Sequence, residues 1–339
     1  MILIFRKTKE NEKNAYLYAV FCKIVDMINR RLLRIKILQI LYAHFNADEP
    51  SILKSEKDLL FSIQKAYDLY YYIFLLIIAI KRYAETRIEL ARNKKLPTFE
   101  DLNPNTRFVE NSVIRQIEKN QSFNHYLNET KMSWVNHPEL IRSLYNKLVE
   151  SSYYQKYMEN SKNNYRKDRR LVVDFFSNEL ENFEMFYDIL EEQSIFWNDD
   201  IDFVIVMVIK VIQNMRVSKL EFHPMYKSDE DQEFAIHLLR KIIINHNEYR
   251  QMIEDYVVNW DIERIALIDS LIIQLAINEL TDFPFIPVKV TFDEYLELAK
   301  YYSTPKSSVF INGLLDKISA DLTEQGKIVK TGKGLIDEL

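Results

Sequence analysis

The sequence predicts an all-α protein, and three observations favour that class. Only four of 339 residues are glycine, and all four lie in the last 27 residues. Eight prolines interrupt the chain, so long uninterrupted segments remain. Apolar residues recur at spacings of three and four along most of these segments, which is the period of a helix with one buried face. Tight hairpins depend on glycine, so a sheet protein is disfavoured.

The scarcity of glycine also excludes several classes of site. Phosphate-binding loops, dinucleotide fingerprints and nucleophile elbows each need glycine at a sharp turn or a close approach. The six histidines show no metal-ligand spacing, and the one cysteine, Cys22, cannot form a thiolate metal site alone. We therefore expect no enzyme activity, no cofactor and no bound metal.

Charge and hydropathy limit the partners. The net charge is −5, so any nucleic-acid site must be a local basic patch. The longest apolar run, Tyr70–Ile80, has 11 residues and is followed by Lys81 and Arg82. A bilayer span needs about 20 residues, so this run predicts a buried helix. Without a signal-peptide pattern, we expect a cytoplasmic protein that does not bind membranes.

The first predicted helix covers residues 27–46. It carries an apolar stripe and four basic residues without a single acidic one, for a local charge of +4. Arg30, Arg31 and Arg34 fall within an arc of roughly 100° on its flank. A solvated basic flank and a phosphate-binding patch both fit this pattern. Tyr42 and His44 on the same helix could stack on a base.

Further helices follow in order. The periodicity predicts helices over about 55–95, 108–121, 138–160, 171–191, 199–216, 230–258, 260–280, 292–301 and 307–324. Residues 162–170 form a second basic segment with a net charge of +4, typical of a charged loop and less often of an RNA contact. Thr291 and Glu294 have the spacing of a capping box.

Gly313 lies inside the apolar pattern of the last helix. Glycine costs about 1 kcal/mol relative to alanine there. We therefore expect another helix or a ligand to approach Gly313 closely.

Two separated segments of the sequence together carry a pattern typical of one known family. The first contains Arg30-Arg31, Arg34 and Gln39-Ile40-Leu41-Tyr42. The second contains Trp260, Arg264, Asp269, Leu275-Ala276, Glu279-Leu280, Ile286-Pro287, Glu294, Glu297-Leu298-Ala299-Lys300-Tyr301, Ser307 and Phe310-Ile311-Asn312-Gly313-Leu314-Leu315-Asp316-Lys317. Together these segments resemble the NusB family of bacterial transcription antitermination factors, and the resemblance covers about 115–120 residues.

The resemblance implies a fold and a function. The fold would be an antiparallel helical bundle of two subdomains. The function would be binding of single-stranded boxA-type RNA together with NusE, a ribosomal small-subunit protein. The complex would join the RNA polymerase elongation complex and support transcription of ribosomal RNA operons.

The resemblance also implies site residues and boundaries. RNA contacts would come from Arg30, Arg31, Arg34, Tyr42, Asp269, Lys306 and Phe310. The expected organisation is an extension at 1–26, absent from the native protein or disordered, a first helix at 27–46, a helical insertion at 47–228, the remaining NusB-like part at 229–325 and a flexible tail at 326–339.

Two alternatives remain. A helical scaffold in ribosome assembly, without boxA binding, would carry the same fold. Ribosomal RNA cytosine methyltransferases also contain NusB-like domains, but they need a glycine-containing cofactor loop and catalytic cysteines that this sequence lacks. Binding of a boxA-like strand, with and without NusE, separates the first alternative from antitermination.

Overall fold

The computed structural model describes residues 30–159, 164–217, 219–222, 224–226, 228–257, 265–332 and 334–335. Within these ranges the regular elements are helices, together with one isolated antiparallel bridge between Arg216 and Lys219. The predicted all-α class is confirmed. The expectations for residues 1–26 fall outside the described residues.

The chain divides into two compact units. Unit 1 contains the described residues of 30–63 and 226–335, and unit 2 contains residues 64–225. Among the described residues, unit 1 is therefore built from two stretches that are far apart in sequence, whereas those of unit 2 all lie within 64–225.

Unit 1 is formed around one central helix. Its helices are α1 (Arg30–Phe45), the first turns of α2 (Ile52–Arg92), α11 (Asp229–Tyr256), α12 (Leu267–Asp282), α13 (Val288–Tyr302) and α14 (Pro305–Glu324). Helix α12 packs against α1, α11, α13 and α14, and every residue from Asp269 to Leu280 is buried. The polar side chains on α12 therefore need partners inside the unit.

Unit 2 contains the rest of α2 and the helices that follow it. These are α3 (Phe99–Leu102), α4 (Ser112–Glu118), α5 (Gln121–Thr130), α6 (Pro138–Glu150), α7 (Ser152–Glu159), α8 (Tyr165–Asn178), α9 (Glu184–Gln193), a 3-10 turn (Ile195–Trp197) and α10 (Ile201–Asn214). Helix α8 packs on α4, α7 and α10.

The apolar run of α2 lies in the core of unit 2. Helix α2 is long and apolar enough to cross a membrane by length and composition, but 83% of its most apolar window is buried inside the protein. Tyr72 stacks on Trp134 with centroids 3.9 Å apart, and Tyr71 stacks on Tyr126 at 4.0 Å. The predicted buried helix is confirmed.

Several sequence predictions about local structure are wrong. The predicted helix over 171–191 is two helices, because the chain turns between Asn178 and Glu184, where Asn182 takes a left-handed φ of 56°. The basic segment 162–170 is not a loop throughout, since α8 begins at Tyr165 with Asn164 as its cap.

The capping box is also wrong. Helix α13 begins at Val288, one turn before Thr291, so neither Thr291 nor Glu294 lies at a cap. Gly313, in turn, lies on the exposed side of α14, and a Cβ built there meets no atom within 4 Å. The expected close approach of another helix is therefore absent among the described residues.

Candidate nucleic-acid interface

The arginine-rich segment forms the first turns of α1. Arg30 is the most exposed of its three arginines, with 35% of its side chain accessible. Its Nε donates to Asp231 Oδ1 at 3.1 Å, and its guanidinium lies 5.0 Å from the centre of the Phe234 ring. Arg30 is thus anchored on α11 while part of its guanidinium still reaches solvent.

Arg34 lies in the interior of unit 1. Its Nε and Nη2 each donate to the Glu279 carboxylate at 2.7 Å, and only 4% of its side chain is exposed. Burial alone would lower the pKa of Arg34, but the adjacent Glu279 carboxylate outweighs it and raises this pKa above its usual value. Arg34 therefore stays charged and is satisfied internally.

Glu279 is the centre of this buried cluster. Besides the two bonds from Arg34, it accepts hydrogen bonds from Thr291 Oγ1 at 2.9 Å and Tyr295 OH at 3.1 Å. Burial, and next the Glu279 charge, raise the pKa of Tyr295 well above its usual value. Four donors on one carboxylate offset the cost of burying it.

Arg31 extends the cluster towards the surface. Its Nε and Nη2 donate to the two Glu294 oxygens at 2.7 and 2.5 Å, and 15% of its side chain is exposed. Glu294 also lies 3.6 Å from Arg34 Nη1. Two arginines and two glutamates thus neutralise each other within unit 1, and the phosphate contact of Arg34 stays a prediction.

Tyr42 and Lys306 are both accessible on unit 1. Tyr42 is half-buried on α1, one turn after Gln39, whose Nε2 donates to Tyr302 OH at 3.3 Å. Tyr302 ends α13, and Thr304 then caps α14 by accepting from Ser307 N. Lys306 is exposed in the first turn of α14. The cap therefore fixes the backbone that presents Lys306.

Phe310 and Asp269 complete the predicted set. Phe310 is half-buried on α14, one turn after Lys306. Asp269 is buried in the first turn of α12, and its Oδ1 has no hydrogen-bond partner among the described residues. A buried carboxylate oxygen without a donor is expensive, so this atom is a candidate acceptor for a ligand N–H.

The partners of the arginines were not identified from the sequence. Glu279 appeared only as part of a family-like pattern, Glu294 appeared there and in the predicted capping box, and Tyr295 did not appear. One signal was available: Glu279 is an acidic residue in the apolar segment 271–280, where an unpaired charge would be costly.

Comparison with known proteins identifies the family. The NusB family model matches residues 203–320. A transcription antitermination protein NusB from Salinibacter ruber is 43% identical over 113 residues, which are 33% of this chain and 71% of that protein. The chain belongs to the NusB family.

Two other NusB relatives agree with this assignment. The transcription antitermination protein NusB of Leptospira biflexa is 32% identical over 30% of this chain and 72% of its own length. That of Chloroherpeton thalassium is 35% identical over 31% of this chain and 50% of its own length. No solved structure matches the chain.

The family likeness covers about a third of the chain. The matched residues include α11–α14, whereas most of unit 2 lies outside the family model. Helix α1 also lies outside it, so its assignment as the first NusB helix, and the domain boundaries based on it, stay predictions. Its packing on α11 and α12 places it in the same unit as the matched helices.

Proposed function

We propose that this NusB family member is an RNA-binding transcription antitermination factor. It binds single-stranded boxA-type RNA with NusE, joins the RNA polymerase elongation complex in the cytoplasm and supports processive transcription of ribosomal RNA operons. No catalytic step is part of this role. The observation that carries the proposal is the identity of 43% to a relative named as a transcription antitermination protein.

The structure supports a revised set of RNA contacts within the proposal. Arg30 and Lys306 are the basic side chains available to phosphates, because both reach solvent. Tyr42 and Phe310 offer half-buried rings for base stacking. Asp269 offers an acceptor for a base N–H.

Arg31 and Arg34 have a different part in the proposal. Their bonds to Glu294 and Glu279 hold α1 against α12 and α13, and so position Arg30 and Tyr42. A phosphate could reach only the exposed edge of Arg31 in this arrangement. Their variants would reduce RNA binding through the shape of the site.

One observation favours the alternative, a helical scaffold in ribosome assembly that does not bind boxA RNA. The basic charge of α1 is largely neutralised inside unit 1, since Arg31 and Arg34 are paired with acids. Phosphate contacts dominate the affinity of RNA-binding proteins, so this pairing weakens the electrostatic case for α1.

RNA binding separates the two functions. Fluorescence anisotropy is measured with a labelled boxA-like RNA and a scrambled RNA, each with and without NusE. We expect preference for the boxA-like strand and tighter binding with NusE. Arg30→Gln/Lys306→Gln should reduce the slope of log K against log salt by about 1.4, at roughly 0.7 per phosphate contact.

The control is Arg250→Gln/Lys327→Gln, which removes the same two charge types from other exposed positions of unit 1. It should leave the salt slope unchanged. Equal binding of boxA-like and scrambled RNA with NusE present would favour the scaffold and reject antitermination through boxA.

A further inference from the structure

Five basic residues from three separate segments of unit 2 lie around one short loop. Two hydrogen bonds hold the described residues of this loop, 215–217 and 219–221, against α4 and the turn after it. Gln116 Nε2 donates to the Arg216 carbonyl at 3.0 Å, and Asn120 Nδ2 donates to the Leu220 carbonyl at 3.1 Å. Lys119 lies between these two anchors in sequence and is exposed.

The start of α8 is fixed to the same place. Tyr165 OH donates to Gln116 Oε1 at 2.7 Å, and Arg169 Nη1 donates to the Met215 carbonyl at 2.9 Å. Arg166 follows Tyr165 and is exposed. Residues near 116, 166 and 216 are thus brought together although about 50 residues separate each from the next.

The loop itself concentrates positive charge. Arg216 and Lys219 exchange backbone hydrogen bonds at 3.2 and 3.0 Å, which makes them a directly opposed pair in an antiparallel bridge. Side chains in such pairs have Cβ atoms about 5 Å apart, and like charges placed there repel each other. An anion between them would relieve this repulsion. Lys119, Arg166, Arg169, Arg216 and Lys219 are together called the unit 2 basic cluster.

The acids near the cluster do not neutralise it. Glu221 pairs with Lys219 at 3.3 Å, with both side chains more than 60% exposed. Asp168 turns inwards, where it accepts from Ser112 and Tyr157. Glu118 is held by Lys81 and Arg82. Among these described groups, Glu221 is the one carboxylate paired with a member of the cluster, against five cations, in a protein whose net charge is −5.

We propose that the unit 2 basic cluster binds the phosphate backbone of single-stranded RNA, a proposal that rests on the RNA-binding function proposed above. Three of its five members are arginines, and one arginine guanidinium can donate two parallel hydrogen bonds to a phosphate. Helix α8 adds the partial positive charge of its N-terminus, which begins with the capping residue Asn164.

The composition of the surface favours RNA over an acidic protein segment. Stable protein interfaces have an apolar centre. The loop that carries Arg216 and Lys219 exposes one large apolar side chain, Val217. Interfaces with nucleic acids are instead polar and strongly basic. Unit 2 would then supply backbone affinity to RNA that flanks the boxA-type element.

The experiment uses the full chain and two labelled RNAs. The short RNA is a boxA-like element of about 12 nucleotides, and the long RNA adds about 20 uridines, more than the 4–16 nucleotides typical of one single-strand site. The test variant is Arg166→Gln/Arg216→Gln/Lys219→Gln, which keeps Arg169 because that residue holds the loop. The control is Arg92→Gln/Lys95→Gln/Arg142→Gln, three exposed residues elsewhere in unit 2.

We expect the test variant to bind the short RNA like the wild type and to lose affinity for the long RNA. Three lost contacts reduce the salt slope by about 2, so between 50 and 200 mM salt the wild-type affinity for long RNA should fall about 20-fold more than that of the variant. The control variant should follow the wild type.

Two results would overturn the proposal. One is equal binding of the long RNA by the wild type and the test variant. The other is displacement of the long RNA by a glutamate-rich peptide as effectively as by oligouridylate of equal charge, which would assign the cluster to an acidic protein. A third result separates the two proposals. If the short RNA shows no boxA-specific binding but the test variant still weakens binding of the long RNA, the proposed function is rejected and the proposal for the unit 2 basic cluster stands.

Discussion

The His246 ring stacks on the Phe45 ring with centroids 4.0 Å apart, which joins α11 to the end of α1. His246 Nδ1 lies 3.0 Å from Gln274 Oε1 on α12. His44, the residue before Phe45 on α1, contacts Ser55 Oγ on α2 through its Nδ1 at 2.8 Å. Helix α11 bends next to this contact, since Asn245 has non-helical angles. Two neighbouring histidines thus help to join α1, α2, α11 and α12.

We predict that unit 1 loses stability as the pH falls through about 6.5. Burial lowers the pKa of His44, and the nearby His246 lowers it further. Burial also lowers the pKa of His246, against the opposing effect of Gln274, and Arg250 adds to the decrease. The unfolded chain therefore binds protons at a higher pH than the folded one, so the free energy of unfolding decreases below the unfolded pKa.

Urea denaturation at pH values from 8 to 5 (about one unit apart) measures this effect. His44→Asn/His246→Asn should flatten the pH profile in that window. His125→Asn is the control, because His125 is exposed on α5 and pairs only with Glu129 on its own helix. An unchanged slope in the double variant would contradict the prediction.

Replacing Arg34 should destabilise the protein more than replacing Arg30. Arg34→Met leaves the buried Glu279 carboxylate without its cation, which costs about 3–5 kcal/mol. Arg30→Gln affects a pair that is partly exposed and should cost less than about 1 kcal/mol. Chemical denaturation measures both values.

A double-mutant cycle assigns the loss to the pair. Arg34→Met/Glu279→Leu should be more stable than the sum of the two single changes predicts, by more than about 1 kcal/mol. In the Arg30→Gln background, which lacks the contact that Arg34 is proposed to position, Arg34→Met should leave the salt slope of RNA binding unchanged. A reduced slope would show that Arg34 contacts a phosphate after all.

Gly313→Ala should stabilise the protein by about 1 kcal/mol. The residue is exposed inside α14 and its new Cβ would meet no atom within 4 Å, so the gain in helix propensity is not opposed by a clash. Gly326→Ala is the matched comparison. Gly326 follows α14 with φ +67°, so alanine at this position should destabilise the protein. Thermal unfolding of both variants measures the difference, and a lower midpoint for Gly313→Ala would contradict it.

Asp168→Ala should destabilise unit 2 by about 2–4 kcal/mol. The carboxylate accepts hydrogen bonds from Ser112 N at 2.9 Å and Tyr157 OH at 2.9 Å. Both donors would lose their acceptor in the variant. Fluorescence of Trp134 and Trp197, both in unit 2, follows its unfolding. Asp174→Ala on the same helix should cost less than about 1 kcal/mol, since its partner Arg170 is exposed.

Periodicity was sufficient for the all-α class and for most of the helices, but not for their polar partners. The apolar run of α2 predicts burial correctly because 11 consecutive apolar residues leave no polar face. The basic flank of α1 fitted a phosphate site because residues 27–46 contain no acid. Its acids come from residues 245 and 263 positions away, and no local pattern can show such a pairing.

Gly313 and the basic segment of α8 illustrate the same limit. A glycine in a helix indicates that the position tolerates the low helix propensity of glycine. It does not tell whether the residue packs closely against a neighbour or lies on the surface. Residues 162–170 showed a charge excess, whereas the contribution of Arg216 and Lys219 depended on a loop about 50 residues later. The charge counted along one segment of the sequence therefore missed the basic residues that other segments contribute to the unit 2 basic cluster.

The long separation of Arg34 and Glu279 also affects the order of folding during synthesis. Ribosomes add about 5–20 residues per second, so Arg34 is made roughly 12–50 s before the glutamate that neutralises it. The described residues of unit 2 are all made before Glu279. Helix α1 must therefore remain soluble on the nascent chain while its cations lack their acidic partners. Its high positive charge favours solubility during that interval.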